Sequence, residues 1–279
     1  MKTVSKYWLG RVRRFLLTPI EEGTIPDRGL ATGQAVSRML YRQEARRGTV
    51  LGFEEIGFQV FSQTDEDGIL LWIFSVIGSG GRRSVEVCAG TGYECNTANL
   101  IVHHGWNGLL IDGNRELVAK GREFYGRNPQ TAIWPPKFAC EWVTRDNINE
   151  ILERNGFAGS IDLLSLDLDG VDYWIWEALT VVKPRVVVLE YNDICGPERS
   201  VTVPYADDFD YSRYPKPCGM PGFFGASLQA FVKLAARKGY RLAGCNRQGF
   251  NAFFVREGEG EAQLPEVSVE SCFRHPKTA

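Results

Sequence analysis

The sequence predicts an α/β fold: a Rossmann-like doubly wound, mostly parallel seven-stranded sheet with a C-terminal antiparallel hairpin, plus an N-terminal helical extension. Short apolar runs alternate with helical patterns over most of the chain, the order expected when helices connect parallel strands. A glycine-rich turn, Ala-Gly-Thr-Gly at 89–92, follows the first of these runs. The last two runs are joined by a short polar turn, which is typical of a hairpin.

Length and composition fit one large domain with an extension at each end. For the 279 residues we predict a helical N-terminal extension (1–55), a main domain (56–257) with an inserted substrate loop or lid at 193–225, and a polar C-terminal tail (258–279). No apolar run approaches the ~20 residues of a transmembrane helix. The seven cysteines form no CxxC pair. This favours reduced thiols in a cytoplasmic protein over a zinc cluster.

The N-terminal extension is basic. Residues 1–50 hold ten Lys/Arg and four Asp/Glu, a net charge of +6, which leaves −8 for the rest of a chain whose total is −2. We interpret the extension as helices that pack on the domain or form a homodimer interface, with a membrane surface or an acidic carrier as the alternative. The acidic main domain disfavours nucleic acid as a partner, because phosphate backbones bind basic surfaces.

The segment 84–114 predicts a cofactor site. Residues 85–88 form an apolar strand, Gly90 and Gly92 permit a sharp turn, a helix ends at Gly105, and a second strand at 108–111 ends in Asp112. An acid at the tip of the strand after a glycine turn can accept hydrogen bonds from a ribose diol. We therefore expect one nucleoside cofactor to span the two strand ends.

Known nucleotide-binding motifs narrow the choice of cofactor. The dinucleotide frame GxGxxG is incomplete, because Cys95 stands at its third glycine, and the chain has no phosphate-binding GxxxxGK[ST] loop. Upstream, Asp65, Glu66 and Asp67 precede an apolar helical run, which indicates a helix start or a turn that borders the cofactor.

Later strands supply further polar groups at the same predicted edge. A third strand at 137–143 leads to Glu141, Trp142 and Thr144 as candidates to contact an adenine. A fourth strand at 161–166 is followed by three acids, and a fifth at 186–189 ends in two polar residues. Because the carboxyl ends of parallel strands meet at one crevice, we expect a shared catalytic group or, alternatively, a magnesium site made of Asp167, Asp169, Glu190 and Asn192. The alternative interpretation is that these acids cap helices and pair with basic residues.

The rest of the chain is predicted as follows. The stretch 193–225 lacks periodicity and is rich in aromatic and acidic residues, as expected of a lid or substrate loop. Ser227 caps a helix that ends at Gly239. The runs YRLAGCN and NAFFVRE then form the closing hairpin.

The motifs FSQTDEDG, EVCAGTGYECN, LLIDGN, DLLSLDLDGVD, VVVLEYN and GYRLAGCNRQGFNAFFV lie in this order between residues 61 and 256. Together they resemble FkbM-type methyltransferases of the class I S-adenosylmethionine-dependent superfamily. Cys88 stands where the family's [DE]xGxGxG motif has its first glycine, and Asp169 stands where the family usually has glutamate. The resemblance implies methyl transfer from S-adenosylmethionine to hydroxyl groups of sugars or natural products.

The resemblance also implies roles for single residues. It places Glu86, Ala89, Gly90 and Gly92 around the methionine moiety, and Tyr93 and Asn96 near its carboxylate or amino group. Asp112 would bind the ribose and Asp167 would lie close to the sulfonium. The remaining residues expected to contact the cofactor are Gly113, Asn114 and Thr144.

A hydroxyl acceptor needs a base or a divalent ion that lowers its pKa. We favour a metal-free base, Asp169 or Glu190, over Mg²⁺ as the activating group for a small-molecule acceptor. Two other classes of protein stay open: a nucleotide-cofactor oxidoreductase and a non-catalytic binding scaffold.

Overall fold

The computed structural model describes residues 28–209 and 224–274. The chain divides into two compact units, Met1–Val36 and Ser37–Ala279, and this boundary falls inside helix α1 (Arg28–Arg47). About half of the predicted N-terminal extension (residues 1–27) and part of the predicted lid (210–223) therefore lie outside the described residues.

The larger unit contains a seven-stranded sheet of order β3-β2-β1-β4-β5-β7-β6. All neighbouring strands pair in parallel except β7, which is antiparallel to β5 and to β6. The predicted doubly wound sheet with a closing antiparallel hairpin is thus confirmed. The strands are Arg83–Val87, Asn107–Asp112, Lys137–Cys140, Gly159–Leu166, Val182–Glu190, Tyr240–Cys245 and Asn251–Arg256.

Helices cover both faces of the sheet. After α1, they are α2 (Phe53–Ile56), α3 (Glu66–Val76), α4 (Ala98–His104), α5 (Arg115–Arg127), α6 (Ile148–Arg154), α7 (Asp172–Ala178) and α8 (Leu228–Lys238).

Each face of the sheet has its own apolar core, because successive side chains of a strand point to opposite faces. In β4, Leu164 and Leu166 join the core under α6, α7 and α8, whereas Leu163 joins the core under α3 and α4. Trp176 of α7 and Trp72 of α3 are almost fully buried in these two cores. Burial of each such ring removes a large apolar area from water and stabilises the sheet-on-helix packing.

The strand order places the end of β1 at the centre of the sheet. Val87 pairs with Ile111 of β2 on one side and with Leu166 of β4 on the other. Strands β2 and β3 are added on one side of β1, and β4 and β5 on the other. The connections on the two sides of this point run in opposite directions, so a crevice opens between the carboxyl ends of β1 and β4. Every parallel strand of the central sheet ends at this same edge.

Helix termini follow the predicted signals. Gly105 and Gly239 end α4 and α8 in the left-handed conformation, and the Ser227 hydroxyl accepts a hydrogen bond from the Ala230 amide at the start of α8. Asp67, in the first turn of α3, fastens the preceding loop, since one of its carboxylate oxygens accepts three backbone N–H groups, from residues 60–62.

Two predicted segments differ from the structure. Strand β3 ends at Cys140 rather than at residue 143, because Asn147 binds the Trp142 carbonyl and Arg154 pairs with Glu141, which draws the chain out of the sheet. Residues 258–274 are not a polar tail. They contain buried side chains and a short 3₁₀ helix, Val269–Cys272.

The described cysteines, 88, 95, 140, 195, 245 and 272, are all free thiols. Among the helices of the described residues, none combines the length and the apolar character that a bilayer crossing would require.

Candidate active site

A pocket of about 460 Å³ opens at the carboxyl edge of the sheet. This volume lies within the range of small-molecule sites. The turn after β1 contributes Cys88, the end of β2 and the turn after it contribute residues 111–114, and the chain after β3 contributes residues 141–143. The turn after β4 and the segment after β5 form the remaining walls, with Leu168, Gly170, Val171, Asp207 and Phe209.

Cys88 keeps the backbone shape of the glycine turn. Its φ of 59° lies in the left-handed region, next to values of 58° at Gly90 and 68° at Gly92. The thiol is open to the pocket but otherwise surrounded by protein. This desolvation raises its pKa well above the usual value, and the Asp112 and Asp172 carboxylates add to the effect. The thiol is therefore protonated at neutral pH and is a neutral wall of the pocket rather than a nucleophile.

Gly92 is needed for packing. A Cβ on this residue would lie 2.5 Å from Leu110 Cδ1 and 3.2 Å from the Tyr125 ring. The Gly92 carbonyl also accepts the Tyr125 hydroxyl at 2.6 Å. The second glycine of the turn thus lets helix α5 approach the sheet, and it does not line the pocket.

Asp112 links the glycine turn to the start of α5. One carboxylate oxygen accepts the Gly90 amide at 2.8 Å and the other accepts the Asn114 amide at 2.7 Å. Asn114 in turn caps α5 through its side-chain oxygen. A carboxylate has about four acceptor positions, so Asp112 retains capacity for a ligand hydroxyl while its orientation is fixed by two backbone donors.

The end of β3 forms a second wall. Asp112 pairs with Cys140 in register, and the next residues, 141–143, run along the pocket. The Trp142 ring lies against Gly113, where an added Cβ would be 3.0 Å from the ring. Thr144 lies outside the pocket wall, and its backbone and hydroxyl bind Asn147 instead.

Three residues expected near the methionine moiety do not line the pocket. The Glu86 carboxylate is buried and accepts the Thr97 amide at 2.8 Å, and Asn96 donates to the Ser165 hydroxyl at 3.0 Å. Tyr93 packs its ring edgewise on Phe61 and Phe124. Burial raises the pKa of Glu86 to about 7.

Ala89 and Gly90 also lie off the pocket wall. Ala89 is buried in the core under α3 and α4, and its amide donates to the Ile111 carbonyl, which extends the β1–β2 pairing. Gly90 reaches the site only through the amide that it donates to Asp112.

The turn after β4 is shaped by Asp172. Its two carboxylate oxygens accept the amides of Leu168 and Gly170, at 2.7 and 3.2 Å. Burial raises the pKa of Asp172 to about 7. The third acid of this motif therefore fastens the turn, and Asp169, with a φ of 53°, is held in an uncommon conformation at its tip.

The ends of β4 and β5 bring three carboxylates together. Oxygens of Asp167, Asp169 and Glu190 all lie within 4.8 Å of one another, with Asp169 exposed and the other two half-buried. Asn192 was predicted to join them. It is buried, and its side-chain oxygen accepts the Ile194 amide at 3.1 Å, so it shapes the chain that leaves β5.

Arg185, one of the basic residues that the capping interpretation would pair with these acids, forms ion pairs with Asp162 and Glu259. Asp207 and Phe209 of the pocket wall were not among the predicted site residues. The only sequence signal was their position in an aromatic and acidic stretch without periodicity.

Fold and site together define a doubly wound α/β protein with a ligand pocket at the carboxyl edge of its sheet and an acidic group beside it. No family model and no curated protein sequence matches the chain.

Solved structures to which the chain is similar in fold include several methyltransferases. Magnesium protoporphyrin IX methyltransferase from Synechocystis PCC 6803, with bound SAM, is 10% identical over 90% of this chain and 92% of its own, with a TM-score of 0.44. The N-terminal domain of EvdMO1, with SAH bound, is 14% identical over 78% and 94% of the two chains, also at 0.44. The glycopeptide N-methyltransferase MtfA, complexed with sinefungin, is 11% identical over 66% and 84%, at 0.39.

Proposed function

We propose that this protein is an S-adenosylmethionine-dependent methyltransferase that acts on a hydroxyl group of a small molecule. The observation that carries the proposal is the position of Asp112. Its carboxylate, fixed by the amides of Gly90 and Asn114, stands at the tip of β2 in the wall of the pocket. A carboxylate in this place suits a ribose diol at the carboxyl edge of a doubly wound sheet.

The pocket has the chemistry that an adenosine-containing cofactor requires. The aliphatic side chains of Ile111, Val143 and Leu168 offer apolar walls for a purine, and the Asp112 carboxylate in the same pocket can accept hydrogen bonds from the hydroxyl groups of a ribose. Cys88 borders the pocket at the end of β1, next to the strand that carries Asp167. These residues would hold the cofactor between the ends of β1, β2, β3 and β4.

S-adenosylmethionine, when bound, supplies a methyl group that is already activated by its sulfonium. The protein's own task is then to position the acceptor, to exclude water and to accept a proton. The carboxylates of Asp167, Asp169 and Glu190 form a negative region that favours a cationic ligand. Asp169, the exposed member, is the proposed base for the acceptor hydroxyl.

A divalent cation is the alternative activating group. Three carboxylates within 4.8 Å of one another offer the oxygen ligands that Mg²⁺ accepts, with water completing the coordination. The metal-free base and the divalent cation involve the same residues, but the two mechanisms predict different effects of a chelator on methyl transfer. Methyl transfer that persists in EDTA supports the metal-free base, and loss that Mg²⁺ restores supports the cation.

The proposal is tested by calorimetric titration with S-adenosylmethionine, S-adenosylhomocysteine and NAD. We expect both sulfur cofactors to bind and NAD not to bind. Replacement Asp112→Asn should weaken S-adenosylhomocysteine binding about 10-fold or more, because an amide loses the charge and one acceptor oxygen. The control Glu116→Gln changes an exposed acid of α5 and should leave the affinity unchanged. Binding of NAD alone would favour the oxidoreductase, and binding of none of the three would favour the scaffold.

The catalytic role of Asp169 is tested separately. Asp169→Asn should retain S-adenosylhomocysteine binding and reduce turnover by about 10²–10⁴-fold, the usual contribution of a general base. Glu153→Gln, on the exposed surface of α6, is the matched control and should turn over normally. Turnover of the Asp169 variant at the normal rate would remove this residue from the mechanism.

A further inference from the structure

The chain after β5 forms a band across the pocket edge, residues 202–209, which we call the strap. Its first residues are paired with the backbone of residues 225–226, just before α8. Thr202 forms an isolated bridge with Ala226, and the Val203 amide donates to the Gly225 carbonyl at 3.0 Å. The strap therefore begins from a fixed point rather than from a free loop.

The middle of the strap is hydrogen-bonded to the chain after β3. The Trp142 indole N–H donates to the Asp207 carbonyl at 2.8 Å, and the Arg145 amide donates to the Tyr205 hydroxyl at 3.0 Å. The Arg145 guanidinium also lies over the Tyr205 ring, 5.0 Å from its centroid. Three contacts between two neighbouring segments fix the strap beside the wall that contains Trp142.

The end of the strap reaches the turn after β4. A Cβ on Gly170 would lie 2.6 Å from Cδ1 of the Phe209 ring, so the ring is packed directly on the Gly170 backbone. Trp174 supports the strap from α7, since its indole N–H donates to the Val203 carbonyl at 2.8 Å. The strap thus connects the ends of β3 and β4 across the pocket.

Two aromatic side chains of this arrangement line the pocket. Trp142 is 64% exposed although it lines the pocket, and Phe209 is half-buried beside it. Exposed aromatic surface in a concave, otherwise aliphatic pocket suits a flat heterocycle, because stacking removes both faces from water. Asp112, at the tip of β2 in the same pocket, is the polar group for the attached sugar.

We propose that the strap is part of the cofactor site, with Phe209 and Trp142 binding the purine base. This inference rests on the proposed function and adds to it a wall that the class of fold does not supply, because the strap comes from the chain after β5. Since the strap contributes a binding residue, ligand and strap stabilise each other's position. The Trp142–Asp207 hydrogen bond is the contact that transmits this coupling.

The first experiment measures purine binding without methyl-transfer activity. Adenosine and S-adenosylhomocysteine are titrated into the full-length protein and into Phe209→Ala. We expect the affinity for both ligands to fall by the same factor, about 10-fold, the typical effect of removing a stacked aromatic ring. Phe209→Leu, which keeps apolar bulk, should lose less. The control Trp134→Ala removes a ring that is 78% exposed outside the pocket wall and should bind both ligands normally.

The outcomes separate this inference from the function on which it rests. Wild-type protein that binds neither adenosine nor S-adenosylhomocysteine would overturn the proposed function. Wild-type protein that binds both ligands, with unchanged affinity in Phe209→Ala, would overturn only the role of the strap. An equal loss for both ligands supports purine contact, whereas a loss confined to S-adenosylhomocysteine would contradict it.

A second experiment examines the strap itself. Trp142→Phe retains an aromatic ring and removes the N–H that donates to Asp207. Amide hydrogen exchange at residues 202–209 should become at least about 5-fold faster in this variant without ligand, since loss of one hydrogen bond weakens the closed position. In the wild type, adenosine should slow the same amides. Exchange that responds to neither change would overturn the coupling.

Discussion

Cys88 is the residue at which this chain departs most clearly from a glycine-turn motif, and the structure shows what the departure requires. The residue adopts a φ of 59°, a region that costs a residue with a side chain roughly 1–2 kcal/mol. The turn is therefore preserved by backbone geometry and not by residue type. The Cys88 side chain, which a glycine at this position would not have, lines the pocket.

Replacement Cys88→Gly should stabilise the protein or leave its stability unchanged. Relief of the left-handed strain contributes about 1–2 kcal/mol, and the greater entropy of glycine in the unfolded chain offsets about 0.5–1 kcal/mol of this gain. Urea denaturation measures the difference. Cys140→Gly is the matched control, an exposed free cysteine at the end of β3, and it should lose about 1 kcal/mol. Equal destabilisation of the two variants would contradict the strain argument.

Glu86 makes stability depend on pH. Its pKa is raised to about 7 because the carboxylate is desolvated, so between pH 4.5 and 7 the folded state binds more protons than the unfolded state. Stability from this group is present at low pH and is lost as the pH rises through that window.

Urea denaturation at pH 5 and pH 8 tests this linkage. We expect the wild type to lose on the order of 2 kcal/mol more than Glu86→Gln over this interval, because the neutral amide cannot ionise and still accepts the Thr97 amide. Asp172, whose pKa is also raised to about 7, titrates in the same window in both proteins and cancels in the comparison. Parallel losses in the two proteins would contradict the assignment.

At the scale of elements, the sequence predicts the strands and their tips well because local chemistry determines them. Asp112 follows an apolar run and precedes an asparagine cap, so its place at a strand end needs no tertiary information. The sequence likewise predicts that the acids after β4 lie together at a strand end. Only the structure separates their tasks, since Asp172 binds two amides of its own turn while Asp167 and Asp169 approach Glu190.

Two kinds of residue could not be assigned from the sequence. The side chain of Glu86 follows strand alternation, and it points away from the face occupied by Val85 and Val87 toward the Thr97 amide, which a motif alone does not reveal. Phe209 lies in a stretch without periodicity, so no pattern could place it against Gly170. Its position depends on hydrogen bonds from Trp142 and Trp174 to the strap, which are long-range contacts.

At the scale of the larger unit, the segment after β7 packs against strands β5 and β6 through Arg185, Arg241 and the Leu242 carbonyl. Glu259 forms ion pairs with Arg185 and Arg256, and these guanidinium groups hold the pKa of Glu259 down at about 2. The Arg241 side chain donates to the carbonyls of Leu264 and Glu259. The sequence predicted a polar tail because the charged residues that form these contacts are of the same types as those in a segment exposed to solvent.

Truncation tests whether this segment belongs to the folded domain. A chain that ends at Glu257 loses Glu259 and the buried side chains of Leu264, Val269 and Cys272. Each of the last three contributes about 1–3 kcal/mol when buried, and removal of Glu259 leaves the half-buried Arg185 with Asp162 as its remaining carboxylate partner. Since whole domains are stable by only about 5–15 kcal/mol, we expect this chain to unfold at much lower urea concentration or to be recovered insoluble. A chain that ends at Arg274 keeps all of these contacts and should denature like the full-length protein. Equal midpoints for the two truncated chains would show that the segment only covers a sheet that is already stable, and the main domain would then end at β7.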